Sequence, residues 1–164
     1  MKQRHHFSIL LLLALVTACG LQAPEFVEHE FDGYAIALPL PQPVIRSEEG
    51  PDGKISSVSA EVNGTKYLVV YWEIPLYLRG VSDAEILESM SLGAGAWKVM
   101  KQDKVTIAGI PGTEIEGKSA TGKHMITRMV RTRDRVYLLT AGGGASSPAR
   151  KNVDRFFDSF RLLQ

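Results

Sequence analysis

The chain has almost no cysteine and almost no net charge, and each shortage excludes a class of protein. Cys19 is the one cysteine in 164 residues, so the chain can form neither an internal disulfide nor a cysteine-based zinc site. It carries 19 Lys and Arg against 18 Asp and Glu, a formal charge of +1. Because nucleic-acid-binding domains present strongly basic surfaces, this balance predicts no nucleic-acid partner.

Long apolar runs are also scarce. The longest extends from Phe7 to Val16, about half of the roughly 20 residues that a membrane-spanning helix needs. It follows Lys2 and Arg4, and a charged start before a short apolar run is typical of a secretory signal peptide. Residues 1–18 are therefore predicted to be a signal peptide, and a permanent transmembrane helix is not expected.

The single cysteine follows this run directly. Residues 16–20, Val-Thr-Ala-Cys-Gly, resemble the lipobox of bacterial lipoproteins. This resemblance implies cleavage between Ala18 and Cys19 and acylation of Cys19 with fatty chains such as palmitate. Two or three chains give a stable membrane anchor, with residues 19–25 as a lipidated tether. The alternative is an ordinary signal peptide with a cysteine at the cleavage site by chance.

Gly20 bears on the destination of such a lipoprotein. An Asp after the cysteine is typical of retention in the inner membrane of Gram-negative bacteria, so Gly20 favours the outer membrane, facing the periplasm. Processing removes Lys2 and Arg4 and leaves 17 basic against 18 acidic residues. It leaves His29 and His124 as the only histidines, and no metal or cofactor is expected.

Residues 26–164 predict a single α+β domain. Many short strand-like runs are separated by turn signals, of which Asn63-Gly64 is the strongest hairpin signal. Ser82 to Glu85 form a capping-box pattern, and Ser147-Pro148 are typical of a helix start. Residues 39–53, rich in Pro, Glu and Gly, predict a loop. Many short strands joined by hairpins, with a few helices, fit the α+β class better than alternating βαβ units.

Four segments resemble the PsbP-like group, which includes small bacterial lipoproteins. They are Phe-Asp-Gly-Tyr-Ala-Ile-Ala-Leu-Pro at 31–39, Ile-Ala-Gly-Ile-Pro-Gly-Thr-Glu at 107–114, Arg-Val-Tyr-Leu-Leu at 135–139 and Phe-Phe-Asp-Ser-Phe-Arg-Leu at 156–162. The resemblance implies an antiparallel β-sheet flanked by helices, an α-β-α sandwich. Plant members bind a photosystem and help to retain its calcium and chloride, but no residue here matches one of their binding residues.

The glycine-rich segment Gly142, Gly143 and Gly144 is a candidate anion-binding loop. It leads towards a predicted helix, and backbone N–H groups at a helix start can hold an anion. The segment lacks the Lys-Ser/Thr ending of a phosphate-binding P-loop. The alternative is a mobile connector.

The densest basic stretch contains Arg128, Arg131, Arg133 and Arg135, with Lys123, and a hairpin would present them together as a basic surface. Such a surface would suit acidic lipid headgroups or an acidic protein. The alternative is a solvated sheet edge protected by charge.

No catalytic residue is predicted. Glu28, His29 and Glu30 are adjacent, and neighbours in a strand point to opposite faces, so they are not expected to converge on a metal. The first expectation is a non-catalytic envelope lipoprotein that acts on an unidentified envelope protein or polymer. The alternative is a small-ligand or anion-binding lipoprotein. A hydrolase would need His29 or His124 within reach of a Ser and a carboxylate.

Overall fold

A computed structural model describes residues 24–40, 42–50, 53–86 and 97–163, and most of these described residues lie in strands. The predicted signal peptide, Cys19 and the tether before Pro24 lie outside the described residues. The strands are β1 (Phe26–Phe31), β2 (Tyr34–Pro39), β3 (Val44–Gly50), β4 (Gly53–Val62), β5 (Thr65–Glu73), β6 (Trp97–Ile107), β7 (Ile110–Ser119), β8 (His124–Arg131), β9 (Arg135–Gly142) and β10 (Arg161–Leu162).

The larger of two sheets has seven strands in the order β3-β4-β5-β9-β8-β7-β6, all of them antiparallel to their neighbours. Asn63 and Gly64 join β4 to β5 with φ angles of 51° and 71°. Positive φ at both central residues is the geometry of the tight hairpin that their sequence predicts. The sheet is otherwise a series of hairpins, with one longer crossover from β5 to β6.

The smaller sheet has three strands in the order β1-β2-β10. Its first hairpin turns at Asp32-Gly33, where Gly33 has a φ of 82° and Phe31 pairs with Tyr34. Strand β2 is buried along most of its length. The central strand of this sheet is therefore core, which explains its continuous apolar sequence.

The main core lies between the two sheets. The C-terminal helix, Arg150–Asp158, packs on the same face of the large sheet as the small sheet does. The apolar face of this helix packs into the core, since Val153, Phe156, Phe157 and the following Phe160 are buried. On the opposite face of the large sheet, a smaller buried cluster contains Ile74, Met129, Val136 and Leu138.

The expected α-β-α sandwich, a sheet flanked by helices, is wrong. The described residues are mostly β, in two antiparallel sheets, and not an α+β sandwich. Residues 26–39 pair with each other and with β10 instead of joining the large sheet, so a second sheet covers much of the face where helices were expected. Among the described residues, only 83–86 and Arg150–Asp158 are α-helical, beside a 3-10 turn at Leu76–Leu78.

Three local expectations had different outcomes. The capping box is confirmed, because Ser82 N–H donates to Glu85 Oε2 at 2.8 Å and Glu85 N–H donates to Ser82 Oγ at 3.3 Å. The C-terminal helix starts later than predicted, with Ala149 as its N-cap. The predicted loop at 39–53 contains the edge strand β3.

Candidate functional site

A cleft of ≈ 460 Å³ lies at the end of the molecule where the described chain begins. The β4–β5 hairpin forms one wall, and the segment from Gly144 to the C-terminal helix forms the other. The pairing of β5 with β9 brings these two segments together. The lining residues are Pro24, Val62, Asn63, Gly64, Thr65, Tyr67, Gly144, Ser146, Ser147, Pro148, Ala149 and Asn152.

The lining is uncharged and mixes apolar residues with neutral polar ones. Five of its side chains make no hydrogen bond to another described residue, and these are Asn63, Thr65, Ser146, Ser147 and Asn152. Hydroxyl and amide groups both donate and accept hydrogen bonds. The cleft therefore offers uncommitted polar groups to a neutral polar ligand, and it has no charged side chain to select an ion.

The three glycines of the candidate anion-binding loop occupy different environments. Gly142 is the last residue of β9 and pairs with Lys66 and Met125. The N–H of Gly143 donates to the His124 carbonyl at 2.9 Å, and the carbonyl of Gly144 accepts from the His124 N–H at 3.0 Å. Gly144 alone lines the cleft. Anion binding by this loop stays a prediction, and the Gly143 N–H is already committed to the sheet.

Two of the four arginines predicted to form a basic surface are used in contacts on opposite faces of the large sheet. Arg128 Nε donates to Glu114 Oε2 at 2.7 Å, and its Nη1 reaches Asp158 at 3.1 Å. The guanidinium of Arg131 donates to the carbonyls of Arg79 and Val81, and fixes the segment before the first described helical residues.

Arg135 fixes the β1–β2 turn. It donates to the Asp32 carbonyl at 2.9 Å and to the Asp32 carboxylate at 3.0 Å. Arg133 is exposed in the β8–β9 turn. The guanidiniums of Arg128, Arg131 and Arg135 thus contact three separate sets of partners. A basic surface shared by these three arginines and Arg133 stays a prediction.

Glu114 is a charged residue that no sequence pattern singled out. Only 8% of it is exposed, and its carboxylate lies between Arg128 and Arg150, whose Nη1 is 2.9 Å away. Burial opposes ionisation of Glu114, but hydrogen bonds from Arg150 and Arg128 outweigh this and lower its pKa. The three partners lie far apart in sequence, so only the fold shows that they meet.

The two histidines do not join a catalytic group among the described residues. His29 Nε2 and His124 Nδ1 are buried without a hydrogen-bond partner there. Glu28 and Glu30 both bind Arg161, at 2.7 and 3.3 Å. Over the described ranges, no group of three or more His, Cys, Asp and Glu could hold a metal ion.

Within residues 24–40, 42–50, 53–86 and 97–163, no helix is both long and apolar enough to cross a membrane.

Comparison with known proteins places the fold. No family model and no curated protein sequence matches the chain. PsbP (CyanoP) from Synechocystis sp. PCC 6803 is similar in structure, with a TM-score of 0.54 and 12% identity over 91% of this chain and 99% of that chain. A protein of unknown function from Pseudomonas aeruginosa has a TM-score of 0.44 and 11% identity over 80% of this chain and 94% of its own. The chain has a PsbP-like fold, as its four sequence segments predict.

Proposed function

We propose that this chain is a lipid-anchored lipoprotein of the bacterial cell envelope, whose domain is a non-catalytic interaction or accessory module without a cofactor. The observation that carries the proposal is Cys19 at the end of a charged start and a short apolar run. Gly20 favours the outer membrane, with the domain in the periplasm. The partner is an envelope protein or polymer.

The position of Pro24 is compatible with such an anchor. Pro24 is the first described residue and already lines the cleft, five residues after Cys19. Five residues span at most about 17 Å when fully extended. A lipid on Cys19 would therefore keep the cleft end of the domain close to the bilayer.

The non-catalytic part of the proposal rests on the charged groups. The carboxylates with lowered pKa values are Glu28 beside Arg161, Glu85 in the capping box, and Glu114 between Arg128 and Arg150. Each shift has a structural cause, an ion pair or a helix cap. Ion pairs and helix caps are structural interactions, and the pKa shifts that they cause do not imply an acid–base role.

Metabolic labelling tests the anchor. Cells that express the chain are grown with a palmitate analogue, and the mature protein is weighed by mass spectrometry. We expect acyl chains on Cys19, a first residue at position 19, and sedimentation with outer membranes. Cys19→Ala should lose both label and membrane retention, and Gly20→Asp should keep the label but move to the inner membrane. An unmodified Cys19 thiol would overturn the proposal.

The cleft favours a second candidate function, a small-ligand-binding lipoprotein. Its volume falls within the range of roughly 300–1,000 Å³ typical of ligand pockets. The five uncommitted side chains that line it are neutral hydrogen-bonding groups. They suit a neutral polar ligand such as a sugar better than a charged one.

Nuclear magnetic resonance titration with two probes, maltose and inorganic phosphate, tests this second function. Saturable changes in the amide chemical shifts of Thr65, Ser147 and Asn152 with maltose alone would support a neutral-ligand site. Such changes with phosphate alone would support the anion-binding loop. Asn152→Ala should weaken binding by about tenfold, the loss expected for one hydrogen bond of roughly 1.4 kcal/mol. The matched control Lys151→Ala changes its exposed neighbour. No shift with either probe would remove the ligand-binding function.

A further inference from the structure

Three exposed lysines lie together at the end of the large sheet where the cleft lies. Lys98 of β6 is directly opposite Lys118 of β7, and Lys118 is directly opposite His124 of β8. Lys123 lies in the turn between β7 and β8. We call Lys98, Lys118 and Lys123 the lysine corner.

The lysine corner brings like charges together. Lys98 and Lys118 are direct cross-strand neighbours, an arrangement that destabilises a sheet when both residues carry the same charge. The Lys118 side chain lies near the turn, since its Cε would be 3.9 Å from a Cβ placed on Gly122, the residue before Lys123. None of the three ammonium groups has a carboxylate partner among the described residues, whereas Lys101 pairs with Asp103. The three charges are therefore free to act on something outside the domain.

Backbone contacts place the lysine corner beside the start of the described chain. Pro24 and Gly144 line the same cleft, and the Gly144 carbonyl accepts the His124 N–H at 3.0 Å. His124 pairs with Lys118, so the corner lies on the strands next to that loop. Adjacent strands are about 4.8 Å apart, and an eight-residue strand such as β9 is about 25 Å long. The lysine corner and Pro24 therefore lie at the same end of the molecule. The β8–β9 turn lies at the opposite end, about one strand length away.

We infer that the lysine corner is a contact surface for anionic phospholipid headgroups, which orients the domain with its cleft end towards the bilayer. The inference rests on the proposed lipid anchor, because an anchor at Cys19 would hold this end near the membrane. Lysines near an anionic bilayer are attracted within about one Debye length, roughly 8 Å at physiological salt. A tether of at most about 17 Å lets the corner approach the bilayer to within this range.

Energy transfer in vesicles tests the orientation. The full chain, as processed and purified from bacterial membranes, carries a dye at Ala120→Cys beside the corner or at Thr106→Cys near the other end of the sheet. The parent protein, which has neither introduced cysteine, is treated with the same dye to measure any labelling of Cys19. The vesicles are phosphatidylcholine alone or with one quarter phosphatidylglycerol, with a labelled headgroup as acceptor. In anionic vesicles, we expect transfer from Ala120→Cys to exceed that from Thr106→Cys at least twofold, and 0.5 M NaCl should reduce this ratio.

Charge reversal identifies the residues responsible. The triple variant Lys98→Glu, Lys118→Glu, Lys123→Glu should lose the difference between anionic and neutral vesicles. The control triple Lys54→Glu, Lys104→Glu, Arg133→Glu makes the same change in net charge towards the other end of the sheet, and it should keep the difference. Equal transfer ratios for the parent and the lysine-corner variant, or a ratio insensitive to salt, would overturn the inference.

Retention by neutral vesicles separates the two proposals. Protein that remains on neutral vesicles at high salt supports the anchor, whatever the lysines do. Protein that binds only anionic vesicles, in a manner that needs the lysine corner, contradicts the anchor and supports the lipid surface. Protein that remains on both kinds of vesicle, without any effect of the lysine variant, supports the anchor and contradicts the lipid surface. Protein that binds neither contradicts both.

Discussion

Glu114 joins the large sheet to the C-terminal helix through charge. Its buried carboxylate receives hydrogen bonds from Arg128 in β8 and from Arg150 in the first turn of the helix. Arg128 also lies over the ring of Phe157, 4.6 Å from its centroid. Removing one member of such a group leaves buried charge without a partner, which costs more than the pair itself contributes.

We expect Glu114→Gln to lower the free energy of unfolding by about 2–3 kcal/mol at pH 7, less than the cost at a fully buried pair because Arg150 is half exposed. Urea unfolding measures this loss. Glu116→Gln, a half-buried neighbour on the same strand, should cost less than about 1 kcal/mol. Equal losses for the two variants would contradict the role given to Glu114.

The same contacts predict a pH dependence. Because the pKa of folded Glu114 is below its ordinary value of 4.5, its contribution is present above that value and is lost as pH falls through the folded pKa. The difference in stability between the parent and Glu114→Gln should therefore shrink below about pH 4.5. Urea unfolding at pH 7, 5 and 3.5 checks this. A difference that is constant over this range would contradict it.

Tyr34 shows the opposite case, a buried polar group without a partner. Its ring packs against Tyr71, Tyr137 and Phe160, and its hydroxyl finds no hydrogen bond among the described residues. Burial is the main reason that its pKa is raised. An unsatisfied buried hydroxyl costs free energy. Tyr34→Phe should therefore leave stability unchanged or raise it by about 1 kcal/mol, measured by thermal unfolding. Tyr34→Leu, which also removes the ring, should destabilise, and a loss above 1 kcal/mol for Tyr34→Phe would indicate a hidden partner.

At the scale of elements, the sequence predicted local turns and helix caps correctly, but it did not predict which strands pair with each other. Asn63-Gly64 predicted a hairpin correctly because positive φ at two adjacent residues is a property of those residues alone. The Ser82–Glu85 capping box is equally local. Strand β3 was missed because its sequence, Val-Ile-Arg-Ser-Glu-Glu-Gly, is that of an exposed edge between prolines and glycines. The separate sheet formed by β1 and β2 depends on long-range packing that no local pattern encodes.

The candidate site follows the same division. The glycines at 142–144 were identified from the sequence, but their roles depend on β8, the strand that pairs with β9. The cleft exists because β5 pairs with β9 and sets Asn63 against Ser146 and Ser147. Glu114 and the lysine corner depend in the same way on the β6-β7-β8 register. Sequence therefore supplied single residues, and the strand order decided which of them meet.

A substitution at Gly142 measures how closely the backbones of β9 and β8 pack there. Its φ is 154°, and a Cβ there would be 2.3 Å from the His124 carbonyl oxygen and 2.7 Å from Met125 Cα. Both are backbone atoms held in the sheet, so they cannot move cheaply. Gly142→Ala should destabilise by about 2–4 kcal/mol. Gly144→Ala, where the nearest atom would be 3.4 Å away, should cost less than 1 kcal/mol. Chemical denaturation of both variants checks this, and similar costs would show that the strand contact is looser.

At the scale of the molecule, the two sheets and the helix share one core. The buried cluster joins Leu38 of the small sheet, Tyr67 and Leu139 of the large sheet, and Phe156 of the helix. A shared core predicts that the domain unfolds in a single transition, although hydrogen bonds join the strands into two separate sheets. The placement of the tryptophans makes this testable.

Both tryptophans, Trp72 and Trp97, lie in the large sheet, in β5 and β6. Leu38→Ala removes a fully buried side chain from the small sheet and should cost about 2–4 kcal/mol. In a domain of this size, that lowers the melting temperature by roughly 10 °C. If the core is shared, tryptophan fluorescence and far-ultraviolet circular dichroism will show the same decrease in melting temperature.

The control variant Leu40→Ala, at a side chain that is 45% exposed, should shift neither melting temperature by more than a few degrees. A fluorescence transition that stays at the parent's temperature while the circular dichroism changes would mean that the small sheet unfolds alone, because the tryptophans report only on the sheet that it covers.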